Sequence, residues 1–175
     1  MVVGRLNKSY LFAVVPLAQS PLWERFHRDG LWMIVSMHRL VIDTNVLISA
    51  LVFKDSRHLR LREAWQAGRV TPLLSVRTYR ELKLVLGYPM FKLEDDQIAA
   101  GLALLGPFIE WVQPDPERMA DLPKCSDRDD QKFVEAAHCG HADALLTYDR
   151  ALLKMRKRVS FDVLKPEVWM ETAFA

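Results

Sequence analysis

The chain has 175 residues, half of them hydrophobic and 26% charged, with a formal net charge of +2. That composition allows one domain with a real apolar core and argues against a disordered chain. Two cysteines, Cys125 and Cys139, without CxxC spacing exclude a disulfide scaffold and a thiolate zinc site; with no apolar run long enough to span a bilayer, a reducing, cytoplasmic location without membrane contact is expected.

Residues 1–37 carry apolar clusters without a long helical period. They are expected to be an N-terminal extension, either a misassigned start or a packing arm built on Trp23, Phe26, Leu31 and Trp32. Leu11–Ala18 follows Arg5 and Lys8 like a weak signal peptide, but the run is short and Pro16 interrupts it. A single α/β domain is expected over residues 38–166, with residues 167–175 as a tail.

Leu40-Val41-Ile42 is apolar at successive positions, which suits a central parallel strand covered on both faces. Asp43-Thr44-Asn45 ends it with turn or cap residues, and a helical pattern follows. Asp43 thus stands at the carboxyl end of a strand, where open α/β sheets place ligands. Arg57–Ala67 reads as a helix stopped by Gly68. Val70–Leu74 reads as a second strand, Pro72 predicting that it is irregular or at an edge.

Val76–Leu86 is a predicted helix that carries Glu81 and is broken by Gly87-Tyr88-Pro89. Leu93–Leu105 is another, with Asp95 and Asp96 in its first turn, where the helix dipole favours them. Phe108–Val112 is a strand candidate, and Pro114–Lys124 a loop. Asp127-Arg128-Asp129-Asp130 opens a predicted helix over Gln131–Cys139, closed by Gly140. Ala144–Thr147 is a strand followed by Tyr148-Asp149-Arg150, then a short helix at Ala151–Arg156, a last strand at Val159–Leu164, and a tail from Pro166. The alternation predicts a three-layer α/β/α architecture around a central parallel sheet.

The acids mark the ends of these elements. Asp43 and Asp149 follow strands, Asp127, Asp129 and Asp130 stand at a helix start, and Glu81 lies inside a helix. Strand ends of a parallel sheet gather at one edge, so Asp43 and Asp149 converge although far apart in the chain. Carboxylates brought that close repel, and a hard divalent cation, Mg²⁺ or Mn²⁺, makes the arrangement tolerable. Any single Asp at a helix start is, however, ordinary capping. Basic residues cluster at Arg150, Lys154, Arg156, Lys157 and Arg158, and again between Arg57 and Lys83; a phosphate backbone can use such surfaces, or they are simply solvated.

The segment LVIDTNVLISAL, ending at Leu51, resembles the opening of PIN-domain nucleases, the fold of VapC-type toxins, and within them the branch associated with toxin–antitoxin pairs. EAWQAGRV (Glu63–Val70), YRELKLVL (Tyr79–Leu86), CSDRDDQKFVEAA (Cys125–Ala137) and ADALLTYDRALLKM (Ala142–Met155) resemble its later blocks in the same order. The resemblance runs from about His38 to Pro166. It implies that Asp43, Glu81, Asp130 and Asp149 are the catalytic, metal-holding carboxylates, with Asp127 as a further acid able to trade roles with Asp130. It also implies that Asn45 orients Asp43 or the scissile phosphate, and that Thr147 bonds within the acid cluster. The implied activity is hydrolysis of RNA phosphodiesters by metal-activated water, with an antitoxin protein and a second copy of the chain as partners.

Arg128 and Arg150 are the nearest candidates to meet substrate phosphate, or they pair with neighbouring acids. On a helix, Asp127 and Asp130 would share a face. Two departures from the branch stand out: Lys54–His58 where a Gly/Ser-rich turn is expected, and Tyr148 where many relatives have glycine.

Other readings remain open from sequence. One is a binding module of the same fold with slow or no catalysis. Another is a phosphatase-like hydrolase with Asp43 as nucleophile, against which position 45 is Asn rather than a second Asp. His138 and His141 read as surface or cap residues, and Cys125 and Cys139 as small buried hydrophobes. Trp65, Phe91, Trp111 and Phe133 read as core.

Overall fold

The computed structural model describes residues 37–53 and 58–173. The N-terminal extension expected over residues 1–37 lies, but for Met37, outside the described residues. The elements run β1 His38–Ile42, α1 Thr44–Val52, α2 Leu59–Gln66, β2 Val70–Leu74, α3 Val76–Leu86, α4 Asp95–Leu105, β3 Glu110–Trp111, α5 Gln131–Cys139, β4 Ala144–Leu146, α6 Arg150–Leu153, β5 Asp162–Leu164 and α7 Pro166–Ala173. Single 3₁₀ turns at Pro89–Phe91, Gly106–Phe108 and Lys154–Lys157 link them.

Among the described residues the strands form one five-stranded sheet in the order β3-β2-β1-β4-β5. Every pairing is parallel. Strand alternation divides the core in two. Leu40 and Ile42 of β1, Leu74 of β2 and Leu146 of β4 face one layer, with apolar residues of α1, α2, α3, α4 and α7. Val41, Leu73 and Leu145 face the other, with Phe133, Val134 and Ala137 of α5 and Leu152 of α6. This is the three-layer α/β/α architecture around a parallel sheet. Leu40, Val41 and Ile42 are buried alike because β1 is the middle strand and has helices on both faces.

Several details differ from the sequence expectation. Pro72 lies in a strand flanked on both sides, opposite Leu40 of β1. It is tolerated there because β3 pairs only with Leu73 and Leu74, so β2 has no neighbour on that side at the proline. The predicted strand Phe108–Val112 shrinks to Glu110–Trp111, because Gly106–Phe108 is taken by a 3₁₀ turn. At this edge Trp111 is 55% exposed, not core, and stands edge-on to Tyr79. Pro166 begins a helix rather than a tail; its fixed φ and missing N–H suit the first helical position, and Trp169 anchors the helix in the core.

Candidate functional site

The chain runs outward from β1 through β2 to β3, then crosses back to place β4 on the other side of β1. The carboxyl ends of β1 and β4 therefore flank the point where strand order reverses, the place where a crevice opens in such sheets. Asp43 leaves β1 there and Thr147-Tyr148-Asp149 leaves β4.

Local structure fixes these side chains. Asp43 is extended (φ −57°, ψ 145°) and caps α1, with the Asn45 N–H donating to Oδ1 at 3.4 Å. Its backbone N–H donates to the Leu146 carbonyl at 2.9 Å, tying the end of β1 to β4. The buried Thr147 hydroxyl donates to Asp43 Oδ2 at 2.6 Å and accepts from the Asp149 N–H at 2.9 Å. Asp149 caps α6, its Oδ1 accepting from the N–H groups of Ala151 at 2.5 Å and Leu152 at 3.1 Å. One hydroxyl thus joins the two strand-end acids.

Glu81 arrives from α3, which begins with a reciprocal Ser75–Thr78 capping box. Its Oε1 accepts from the Thr44 hydroxyl at 2.8 Å, and its Oε2 pairs with the ammonium of Lys132. Lys132 also donates to the Asp129 carbonyl. The Lys132 side chain is 10% exposed and that of Glu81 27%.

Asp130 caps the start of α5 through its backbone position alone, without a side-chain capping bond. Asp127–Asp130 form a turn ahead of α5, not its first turn, so a shared helix face for Asp127 and Asp130 does not arise. Asp127 Oδ1 instead accepts from the Asp129 N–H at 2.8 Å.

The acids feel one another. Burial, and then repulsion from Asp149, Asp127 and Asp43, pushes the Asp130 carboxyl up to about 7, against a lowering attraction from Lys132. Burial likewise raises Asp43; the Thr147 hydroxyl and the Asn45 N–H oppose the rise, while Glu81 and Asp149 add to it. The fold therefore brings Asp149, Asp127 and Asp43 within electrostatic range of Asp130, and Glu81 and Asp149 within range of Asp43. It does not bring them to coordination distance: among the described residues no three His, Cys, Asp or Glu side chains stand close enough to hold a metal ion. Several carboxylates are satisfied by partners of their own, Glu81 by Lys132 and Thr44, Asp149 by the α6 amides, and Asp127 by the Asp129 amide.

Asn45, Arg128 and Arg150 are exposed, the first beside Asp43, the second between Asp127 and Asp130, the third directly after Asp149. From Arg150 the chain continues into Lys154, Arg156, Lys157 and Arg158, all exposed. Sequence reasoning missed two features. Lys132 gave only the signal of a cation two residues after Asp130, amid buried neighbours. The other is that His58 Nε2 lies 3.0 Å from the Tyr148 hydroxyl, which donates to Glu167 Oε2 at 2.7 Å. His58, the last residue of one departure from the branch pattern, thus meets Tyr148, the other. His138 and His141 both bond to Arg118, and Cys125 and Cys139 are buried free thiols.

Fold and site define a three-layer α/β protein with acids gathered at the carboxyl edge of a parallel sheet. Residues 39–151 match the PIN domain, more than half of the chain, and the protein belongs to the PIN-domain family. No curated protein matches it.

Proposed function

We propose that the chain is a divalent-metal-dependent ribonuclease and the toxin component of a toxin–antitoxin pair. The observation that carries this reading is the Asp43–Thr147–Asp149 linkage at the reversal of strand order, with Asp130 and Glu81 in electrostatic range of Asp43.

The donor set fits Mg²⁺ or Mn²⁺: it is made of carboxylate oxygens, and their mutual repulsion in a partly buried edge favours an added cation. The fit lies in chemistry rather than in the side-chain placement, which falls short of coordination. Asp43, Asp130 and Asp149 would hold the ion, with Glu81 and Asp127 beside them. When bound, such an ion supplies Lewis-acid activation of water and neutralises phosphoryl charge.

Thr147 holds the Asp43 carboxylate in one orientation and fixes the backbone of Asp149, so the two acids present themselves together. The Asn45 N–H steadies the other Asp43 oxygen. Arg128, between Asp127 and Asp130 in sequence, and Arg150, next after Asp149, are exposed and suited to meet phosphate oxygens. The basic run beyond Arg150 extends that surface along a nucleic-acid backbone. Buried free thiols at Cys125 and Cys139 agree with a reducing, cytoplasmic setting. Among the described residues no helix is long and apolar enough to cross a membrane. An antitoxin partner and pairing of two copies rest on the family resemblance alone.

A second reading, a PIN-like binding module without efficient catalysis, is favoured by one observation: both Glu81 oxygens already have partners. Cleavage of single-stranded RNA with Mn²⁺, with Mg²⁺ and with EDTA separates the two. Metal-dependent cleavage that Asp43→Asn abolishes is the expected result. Equal cleavage by wild type and Asp43→Asn in nuclease-free preparations would overturn the enzymatic reading.

A further inference from the structure

We propose that Tyr148 is a nucleobase platform: its exposed ring takes an unpaired base of the bound strand, so the chain selects single-stranded over double-stranded RNA. The proposal rests on the ribonuclease reading above for its partner, and it needs no metal ion.

Tyr148 is a large aromatic side chain left 36% exposed just beyond β4, between the buried Thr147 and Asp149. Phe53, Tyr88 and Trp111 are exposed as well, but none of them is next in sequence to a residue of the site. The backbone on both sides of Tyr148 is fixed. The Thr147 N–H donates to the Leu164 carbonyl at 3.0 Å, and the Asp149 N–H donates to the Thr147 hydroxyl at 2.9 Å.

The side chain is fixed too. Its hydroxyl has one hydrogen, which goes to Glu167 Oε2 at 2.7 Å, because a carboxylate only accepts. His58 Nε2, 3.0 Å from the same oxygen, is then a donor to it. His58 is buried, and its ring centre lies 5.7 Å from that of Tyr148 at an interplanar angle of 53°. His58 caps the start of α2, and Glu167 stands in the first turn of α7. The ring is therefore held from both helices before any ligand arrives, and little freedom is left for it to lose on meeting a base.

Charge completes the match. Arg150 is exposed, as are Lys154, Arg156, Lys157 and Arg158, and no acid occurs between Arg150 and Phe161. Cations that follow an aromatic residue in the chain suit a single strand, whose phosphates meet the cations while a base meets the ring. In a duplex each base is already stacked and paired, and the deep, narrow major groove admits no side chain, so the ring has no base to take.

The test is binding of fluorescein-labelled RNA by anisotropy, in EDTA and at one fixed salt concentration. The probes are a single-stranded oligonucleotide, the same strand made abasic at every position, and the same strand in a duplex. The full chain is used as wild type, Tyr148→Leu and Tyr148→Phe, each with a melting curve. Tyr148→Leu should bind the base-bearing single strand about 5- to 150-fold more weakly than wild type, the worth of one stacked base. On the abasic strand and on the duplex the two proteins should agree within about twofold. Tyr148→Phe keeps the ring and loses the hydroxyl, so it should melt lower than wild type yet bind the base-bearing strand within about threefold. A phenylalanine variant as weak as the leucine variant would make Tyr148 only a strap between α2 and α7, and would overturn the proposal. So would a leucine variant that binds the base-bearing strand like wild type. Wild type that binds base-bearing and abasic strands equally would overturn it as well, and this comparison stands even if the leucine variant does not fold. If wild type melts cooperatively and binds none of the three probes, the RNA reading itself fails, and this proposal falls with it.

Discussion

Thr147 donates its hydroxyl hydrogen to Asp43 Oδ2 at 2.6 Å, across 104 positions of sequence. The Thr147 hydroxyl oxygen also accepts from the Asp149 N–H, so one buried side chain sets the relation between the acids that end β1 and β4. Threonine suits the place because a single hydroxyl can donate and accept at once.

Thr147→Val keeps the shape and deletes that hydroxyl. It strands a buried Asp43 oxygen and the Asp149 amide, at an expected cost of about 1–3 kcal/mol. It also removes a bond that favours the ionised Asp43, so Mn²⁺ affinity should drop with stability. Thr147→Ser should restore most of both. Urea unfolding and Mn²⁺ titration of the two variants check this; a valine variant as stable as wild type would show the bond to be inconsequential.

The raised acids set a pH dependence. Asp130 titrates at about 7 in the folded chain, against about 4 for an unfolded Asp. Between those values the folded state binds the extra proton, so its contribution to stability is full below about pH 4 and is lost as pH rises through 7. Asp43, also raised, acts in the same direction. In EDTA the melting temperature of wild type relative to Asp130→Asn should therefore fall from pH 5 to pH 8. Mn²⁺ should reverse the trend, because binding needs ionised carboxylates. A wild-type-minus-variant difference that is flat with pH in EDTA would contradict the crowding of these acids.

Gly140 ends α5 at an ordinary φ of −81°, so backbone freedom does not explain a glycine there. Close approach does. An added Cβ would stand 2.7 Å from a Val112 methyl, 2.8 Å from the Ala136 carbonyl oxygen and 3.0 Å from a Leu73 methyl. The Gly140 carbonyl also accepts from Arg39 at 2.8 Å, and Arg39 makes a two-point pair with Glu110, both bonds at 2.6 Å. Gly140→Ala should cost about 1–3 kcal/mol through overpacking. Thermal melting reads it directly, and an unchanged midpoint would mean the neighbours give way freely.

The three-layer architecture was legible because its signals are local. Leu40-Val41-Ile42 and Ala144-Leu145-Leu146 are apolar on successive residues, a pattern that suits a strand covered on both faces. The polar residues that follow, Asp43 and Asp149, mark the strand ends in the sequence itself. Parallel pairing then requires those ends to share an edge. The helix over Gln131–Cys139 and the first-turn acids Asp95 and Asp96 of α4 were equally readable, since period and dipole preference are properties of neighbouring residues.

Other features needed the chain in three dimensions. Pro72 belongs to β2 only because β3 starts one residue too late to meet it. Asp127 and Asp130 share a turn, not a helix face. Lys132 and Glu81 lie on different helices, and His58, Tyr148 and Glu167 come from three separate parts of the chain. Composition and periodicity choose strand, helix and the positions where acids fall, because apolar burial and capping act between residues near in sequence. Which acid pairs with a lysine of its own depends on long-range pairing of single charges, and a one-dimensional pattern holds no information about that.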